Sequence, residues 1–283
     1  MAHYQLNMAG IIWDIQSPLE LLPDERCEPF LTEGKTPQIQ MRYTLGYPEI
    51  RGSELWKKDP HVMADEKGFW VERTLAIRTK PSSCIYLNRE DPTVVQGWIY
   101  PDRKDDITSL ESLLDVSELE ILLSGFDTVS LHSSLIRWKG EAILFSAPSG
   151  TGKSTQADLW ERFRNAEILN GDRSMVRKTE QGWTAFGSPF AGSSSIYRNE
   201  SAPIRAIVVL RQAPRNAVRT ISAGEAFRAL YSEMVIPKWH SAAHQKIIAL
   251  TEQLATEVPV LLLECTPEES AVEVLEEYLT RKL

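Results

Sequence analysis

The stretch Ala147-Pro148-Ser149-Gly150-Thr151-Gly152-Lys153-Ser154-Thr155 decides the fold of the second half of this 283-residue chain. An apolar run at 142–145 precedes it, and a segment with Leu159 and Phe163 on one helical face follows it. The two glycines allow successive backbone N–H groups to face one anion. A helix opening at Lys153 adds further N–H groups and the positive end of its dipole. The pattern therefore predicts a phosphate-binding loop between a strand and a helix.

Each position of this loop has an expected role. Lys153 places an ammonium group on the terminal phosphates, and the Ser154 hydroxyl reaches a magnesium ion. The expected ligands are ATP and Mg²⁺, bound by Ser149, Gly150, Thr151, Gly152, Lys153, Ser154 and Thr155. The standard motif begins with glycine where this chain has Ala147, so an ordinary glycine-rich turn capped by Ser149 is the alternative.

Composition excludes several classes of protein. The formal net charge of -8 argues against a nucleic-acid-binding surface, and no apolar stretch approaches the length of a membrane span. Cys27, Cys84 and Cys265 are widely spaced and odd in number, which indicates a reducing compartment rather than a disulfide framework. With no signal peptide visible, we expect a cytoplasmic protein without nucleic-acid or membrane partners.

The hydrophobic pattern changes near residue 128. Residues 1–127 predict a β-rich amino-terminal domain for substrate or partner docking, and residues 128–283 a nucleotide-binding, kinase-like domain. The first half predicts strands at 4–15, 38–43, 69–77 and 84–87, followed by one helix at 109–124. His3 and His61 stand in no motif, and we expect them in solvated loops.

A hairpin prediction brings His132 toward the loop. Strand-like runs at 129–138 and 141–146 are separated by Lys139-Gly140, a two-residue connection typical of a hairpin. Pairing Trp138 with Glu141 sets His132 opposite Ala147, at the mouth of the loop. The alternative is a histidine at the end of a sheet without a chemical role. Further strands are expected at 204–210, 218–221 and 258–265, and helices at 225–235, 241–256 and 267–283.

An acidic residue follows the loop helix. The run Glu167–Asp172 predicts a short strand ending in Asp172, which completes a strand–helix–strand unit and lies where ligands bind in α/β sheets. Capping of the turn after that strand is the alternative role for Asp172. The hydroxyl- and glycine-rich segment Phe186–Ser195 is expected to line a substrate or phosphate pocket, and a plain surface loop is the alternative. Ser188, Ser193 and Arg198 are the expected substrate contacts, Arg198 because a guanidinium can hold phosphate with two hydrogen bonds.

Three motifs carry a resemblance to a known family. They are Leu131–Ile136, Ser149–Thr155 and Leu169–Asp172, within residues 128–220. With these motifs, the arrangement of an antiparallel strand directly before the loop strand resembles the HPr kinase/phosphorylase and phosphoenolpyruvate carboxykinase superfamily. The resemblance implies an α/β P-loop nucleotide-binding domain. It also implies two adjacent aspartates that serve magnesium and the acceptor hydroxyl, where this chain has Gly171-Asp172.

These observations predict ATP-dependent phosphoryl transfer to a hydroxyl. The resemblance to HPr kinase implies a peptide or protein serine as the acceptor, and a small molecule is the alternative. Lys153, Asp172 and His132 are the expected catalytic residues, and Ser154 and Asp172 the expected magnesium ligands. The alternative is a catalytically silent nucleotide-binding module that regulates a partner protein. Assembly as a homo-oligomer is left open.

Overall fold

The computed structural model describes residues 1–22, 24–75 and 78–282. They form a mixed α/β protein with two large sheets, which confirms the predicted fold class at that level. The chain divides into two compact units: Met1–Leu122 with Pro237–Ser241, and Leu123–Ile236 with Ala242–Leu283. No helix within the described part of the chain is both long and apolar enough to cross a membrane.

The first unit is built on one sheet. Its strands are Ala2–Met8 (β1), Ile11–Ser17 (β2), Leu31–Thr32 (β3), Ile39–Leu45 (β4), Ser53–Trp56 (β5), His61–Ala64 (β6), Gly68–Arg73 (β7), Ser83–Asn88 (β8) and Val94–Ile99 (β9). Across the described residues the strand order is β3-β1-β2-β4-β9-β8-β7-β6-β5. Alternate side chains such as Ile15, Met41 and Val71 are buried on one face, as strand geometry requires.

The first unit departs from the sequence prediction in several strands. The single segment expected at 4–15 is a hairpin, because Ala9 and Gly10 both adopt positive φ and reverse the chain. The strand expected at 69–77 ends at Arg73, and Ala76 and Ile77 lie outside the described residues. The sequence pattern did not indicate β3, β5, β6 or β9. His3 and His61 lie in β1 and β6, not in loops.

The helix expected at 109–124 is two short helices, Leu110–Asp115 (α1) and Leu119–Ser124 (α2). The break falls at Glu118, which adopts φ 54° and is buried. Its carboxylate bonds the Arg73 guanidinium and accepts a hydrogen bond from the Trp239 indole at 3.0 Å. These partners compensate for the burial of the Glu118 side chain inside the unit.

The second unit carries the predicted loop. Its strands are Thr128–Trp138 (β10), Glu141–Ser146 (β11), Glu167–Asn170 (β12), Arg173–Thr179 (β13), Gly182–Phe186 (β14), Ser201–Gln212 (β15), Ala217–Thr220 (β16) and Val260–Cys265 (β17). Its helices are Lys153–Arg164 (α3), Ala223–Glu233 (α4), Ser241–Glu257 (α5) and Glu269–Lys282 (α6). The order is β11-β10-β13-β14-β15-β17-β16, with β12 beside β10 and β11 also beside β15.

Three parallel strands give this sheet a common edge. β11, β15 and β17 run in the same direction, so their carboxyl ends meet on one side. Buried side chains of α3 and α6 join one apolar cluster, and those of α4 and α5 join another on the opposite face. Both faces of the sheet are therefore covered, as in α/β proteins whose ligands bind at the carboxyl ends of the strands.

The predicted hairpin forms in the predicted register. Trp138 pairs with Glu141, and Lys139 and Gly140 adopt φ 53° and 83°, as a tight two-residue turn requires. The β13–β14 hairpin was not predicted. The last helix begins at Glu269, and Leu283 lies outside the described residues.

Candidate active site

The loop between β11 and α3 has the backbone shape of an anion cradle. Gly150 and Gly152 adopt φ 77° and 115°, which favour glycine, and a Cβ at either position would meet nothing within 4 Å. Gly152 precedes α3 without a side-chain cap, so the first-turn N–H groups of Lys153, Ser154 and Thr155 are left for another acceptor. The loop therefore presents open space bordered by donors.

Lys153 is folded back onto this loop. Its Nζ donates to the carbonyl oxygens of Ala147 at 2.8 Å and of Pro148 at 3.5 Å, and the residue is buried. Burial lowers the pKa of Lys153, while the carboxylates of Glu233 and Asp172 act in the opposite direction. The buried ammonium group and the two carboxylates therefore place both positive and negative charge beside the loop.

Asp172 lies at the break between β12 and β13. Its backbone N–H donates to Asn170 Oδ1 at 3.1 Å, and its carbonyl accepts from the Ser133 N–H at 2.8 Å. Asn170 is fully buried, and its amide donates to the Ser188 carbonyl at 3.0 Å. Bonds on both sides of the break therefore fix the backbone from which the Asp172 carboxylate projects.

His132 lies on β10 between β13 on one edge and the end of the β11 ladder on the other. It pairs with Arg173 of β13, while the next residue, Ser133, pairs with Ser146 of β11. The ladder with β11 thus ends one pair before the expected His132–Ala147 pair. His132 nevertheless lines the same cavity as the loop.

The cavity at this point has a volume of about 250 Å³. Its walls come from the loop, the β12–β13 break and β10, together with Ser193. The lining residues are His132, Ser149, Gly150, Gly152, Lys153, Ser154, Thr155, Gly171, Asp172 and Ser193. Most of the residues expected from the sequence to form the site therefore line one space.

Two carboxylates flank the His132 imidazole. Nδ1 lies 2.9 Å from Glu233 Oε2, and Nε2 lies 3.3 Å from Asp172 Oδ1. The hydrogen bond with Asp172, and then that with Glu233, raises the pKa of His132, while burial and Lys153 oppose the rise. The same bond from His132 lowers the pKa of Asp172, which keeps that carboxylate ionised at neutral pH.

A second cavity, of about 360 Å³, adjoins the loop on another side. It shares Gly150, Gly152 and Thr155 with the first cavity. Its remaining lining residues are Thr151, Gln156, Gln212, Ala213, Cys265, Thr266 and Pro267. Gln212 and Cys265 end β15 and β17, so this cavity lies at the carboxyl ends of parallel strands, where ligands bind in α/β sheets.

The donor set fits magnesium rather than a protein-enclosed transition metal. Ser154 and Asp172 offer hydroxyl and carboxylate oxygens to the same cavity, and Mg²⁺ is commonly held by one or two such ligands plus substrate phosphates. Across residues 1–22, 24–75 and 78–282, no group of three or more His, Cys, Asp or Glu could hold a metal ion.

Two expected substrate contacts lie elsewhere. Ser188 is fully buried, and its hydroxyl donates to the Arg173 carbonyl, so it supports the backbone and cannot meet a ligand. Arg198 is exposed and does not line the cavity, while its backbone N–H donates to the Leu169 carbonyl at 3.0 Å. Of the three expected substrate contacts, Ser193 alone lines the cavity.

The segment around Ser193 packs tightly on the β12–β13 break. A Cβ at Gly171 would overlap the Ser194 side chain, and one at Gly192 would lie 2.7 Å from Asp172 Cγ. Gly192 itself has φ 54°. The two glycines therefore let the segment close against Asp172.

Sequence reasoning missed Glu233, Asn170 and Gly192 as parts of this site. Glu233 ends an amphipathic helix 101 residues after His132, and no local spacing relates the two. Gly192 lies in the glycine- and serine-rich segment Phe186–Ser195, which the sequence predicts as a candidate pocket without indicating a role for that glycine. The contacts of these residues exist only in the folded chain.

No protein-family model matches this chain, and no curated protein matches it in sequence. Among solved structures, the chain is similar to one described as the structure of the Hpr(Ser) kinase/phosphatase from Coxiella burnetii. The identity is 9% and the TM-score 0.32, over 54% of this chain and 97% of that one. This neighbour is distant in both sequence and structure.

Proposed function

We propose that this protein is an ATP-dependent phosphotransferase that moves the γ-phosphoryl group to a hydroxyl. One observation carries the proposal: the glycine loop, Lys153, Asp172 and His132 line a single cavity. Phosphoryl transfer depends mainly on positioning and on stabilising negative charge, and these groups supply both. The acceptor is a peptide or protein serine, or a small-molecule alcohol.

Each group has a role in the proposed step. The loop N–H groups and Lys153 bind the β- and γ-phosphates, and Lys153 leaves its carbonyl partners to do so. The acceptor oxygen bonds to the γ-phosphorus as the bond from that phosphorus to the bridging oxygen breaks. Asp172 takes the hydroxyl proton, and ADP leaves with the electron pair of the broken bond.

Ser154 and Asp172 are the proposed Mg²⁺ ligands, and the ion, when bound, neutralises charge on the phosphates. His132 sits beside Asp172 and orients its carboxylate. The adjoining cavity is the proposed nucleoside site, because it shares loop residues with the phosphate cavity and contains Thr, Gln, Ala and Pro side chains.

The amino-terminal domain, residues 1–127, is proposed to dock the acceptor or a partner. Cys27, Cys84 and Cys265 are free and buried, which suits a reducing compartment, and we propose a cytoplasmic setting on that ground.

Incubation with γ-labelled ATP, Mg²⁺ and a cell extract tests the reaction class. Label on a macromolecule indicates a protein kinase, and label on a small molecule indicates a metabolite kinase. Calorimetry with ATP and Mg²⁺ tests binding alone. Absence of any nucleoside tri- or diphosphate binding at sub-millimolar concentration overturns the proposal.

A silent regulatory module is the second candidate. The observation that favours it is the break at Gly171-Asp172, which carries one acid where the resembled family has two. Tight nucleotide binding by the wild type, with neither transfer nor release of phosphate, would decide for this alternative.

A further inference from the structure

We infer that Glu233 is the second carboxylate of this site and a positioning residue that holds the His132 imidazole toward Asp172. The inference rests on the proposed phosphotransferase function and names a residue that no motif indicates. The resembled family implies two adjacent aspartates, whereas in this arrangement the two acids, Asp172 and Glu233, lie on either side of His132.

Strand pairing explains how a helix end reaches His132. Leu131 forms an antiparallel bridge with Met234, and the Val235 N–H donates to the Ser130 carbonyl at 3.0 Å. Continuing that antiparallel register by one residue sets Glu233 directly opposite His132. Directly opposed residues project to the same side of a ladder, which accounts for the 2.9 Å contact between His132 Nδ1 and Glu233 Oε2.

The Glu233 side chain is held inside the unit. It is only 10% exposed, compared with 29% for His132 and 38% for Asp172. A carboxylate this sheltered from water needs a hydrogen-bonding partner, and the imidazole N–H provides it. The other charged groups that act on His132 are Asp172 and Lys153.

Steric exclusion explains why the second acid is not at position 171. The Ser194 side chain fills the space that a side chain at Gly171 would need. An aspartate there would force the Ser193-bearing segment off the β12–β13 break. Glu233 supplies negative charge to the cluster from α4 without that conflict.

The arrangement gives Glu233 a defined effect on the reaction. With Nδ1–H bonded to Glu233, the imidazole cannot rotate freely, and Nε2 remains directed at Asp172 Oδ1. The Asp172 carboxylate then keeps one orientation toward the acceptor hydroxyl. Glu233 touches neither nucleotide nor acceptor in this scheme, so its loss should affect transfer rather than nucleotide binding.

The test compares Glu233→Ala, Glu233→Gln and Glu233→Asp with a matched control, Glu72→Gln. Glu72 bonds Nδ1 of His61 at the same 2.9 Å but lies in β7 of the first unit. We expect Glu233→Ala to lower kcat by about 10- to 100-fold, the range for removing a partner that orients a functional histidine. The KM for ATP should change less than about twofold, and Glu233→Asp should recover part of kcat.

A spectroscopic measurement separates this inference from the proposed function. In ¹⁵N NMR of the full chain, the His132 ring signals, assigned by their loss in His132→Ala, should shift in Glu233→Gln and not in Glu72→Gln. Unshifted signals in a folded Glu233→Gln protein, or an unchanged kcat in Glu233→Ala, overturn the inference. If the His132 signals shift in Glu233→Gln but the wild type transfers no phosphate, the His132–Glu233 contact is supported and the enzyme proposal is overturned instead.

Discussion

His132 and His61 have almost the same surroundings, yet only one belongs to a candidate site. Each imidazole lies between two carboxylates, with Nδ1 at 2.9 Å and Nε2 at 3.3 Å from its partners. The partners of His61 are Glu72 and Glu54, and hydrogen bonding, with Glu72 first, raises the pKa of His61 as well.

The difference lies in what surrounds each cluster. His132 faces a glycine loop with open donors and a buried lysine, at an edge where parallel strands end. The His61 cluster lies on antiparallel strands β5 to β7, and its lysine, Lys57, is largely exposed and bonds Glu54 at 3.0 Å. A histidine flanked by carboxylates therefore does not by itself mark a site, and the anion-binding backbone beside His132 makes the difference.

The largest expected effect comes from Lys153→Ala. We expect transfer to fall by roughly 10³-fold, because the ammonium group stabilises charge that develops on the phosphates. Binding of Mg²⁺–ATP should also weaken in calorimetry, with the melting temperature retained. Lys57→Ala is the matched control and should leave transfer and Mg²⁺–ATP binding unchanged. Equal activity of Lys153→Ala and Lys57→Ala would remove the distinction between the His132 and His61 clusters.

Asp172→Asn should lower transfer by about 100-fold or more, since the amide cannot take the acceptor proton. Nucleotide affinity should fall much less, as measured by calorimetry. The matched control is Glu54→Gln, which changes the Nε2 partner of His61 and should alter neither transfer nor nucleotide affinity. Undiminished turnover in Asp172→Asn would assign the proton acceptor to another residue.

His132→Ala should reduce transfer by roughly 10- to 100-fold, because Asp172 loses the partner that orients it. The comparison with His61→Ala is direct, since both variants remove an imidazole from between two carboxylates. Steady-state kinetics with varied ATP separate kcat from KM. Equal losses in kcat and in nucleotide affinity would reduce His132 to a support for the loop.

The smallest effect is expected from Gly192→Ala, about fivefold to tenfold on kcat. A methyl group there would lie against the Asp172 carboxylate and displace it. Gly34→Ala is the control, because Gly34 has a similar φ of 65° with nothing within 4 Å of its Cβ. Both variants carry a backbone strain of about 1 kcal/mol. A kcat no lower in Gly192→Ala than in Gly34→Ala would show that the contact with Asp172 is not needed.

Local features of this chain were predictable where the residues that cause them are adjacent. Lys139-Gly140 specifies a tight turn by itself, and the register of β10 and β11 follows from it. The 109–124 segment shows the limit of such reasoning. Its leucines predict one helix, but the buried ion pair of Glu118 with Arg73, distant in sequence, accompanies a break.

The sequence by itself determined the loop, the helix after it, the hairpin before it and the strand that ends near Asp172. Each depends on glycine geometry, turn chemistry or hydrophobic periodicity within about a dozen residues. Only the tertiary structure decided that Ser188 is buried and that Glu233 faces His132. Those outcomes depend on strand pairing between distant segments, such as Leu131 with Met234, because no spacing along the chain encodes which backbone groups will meet.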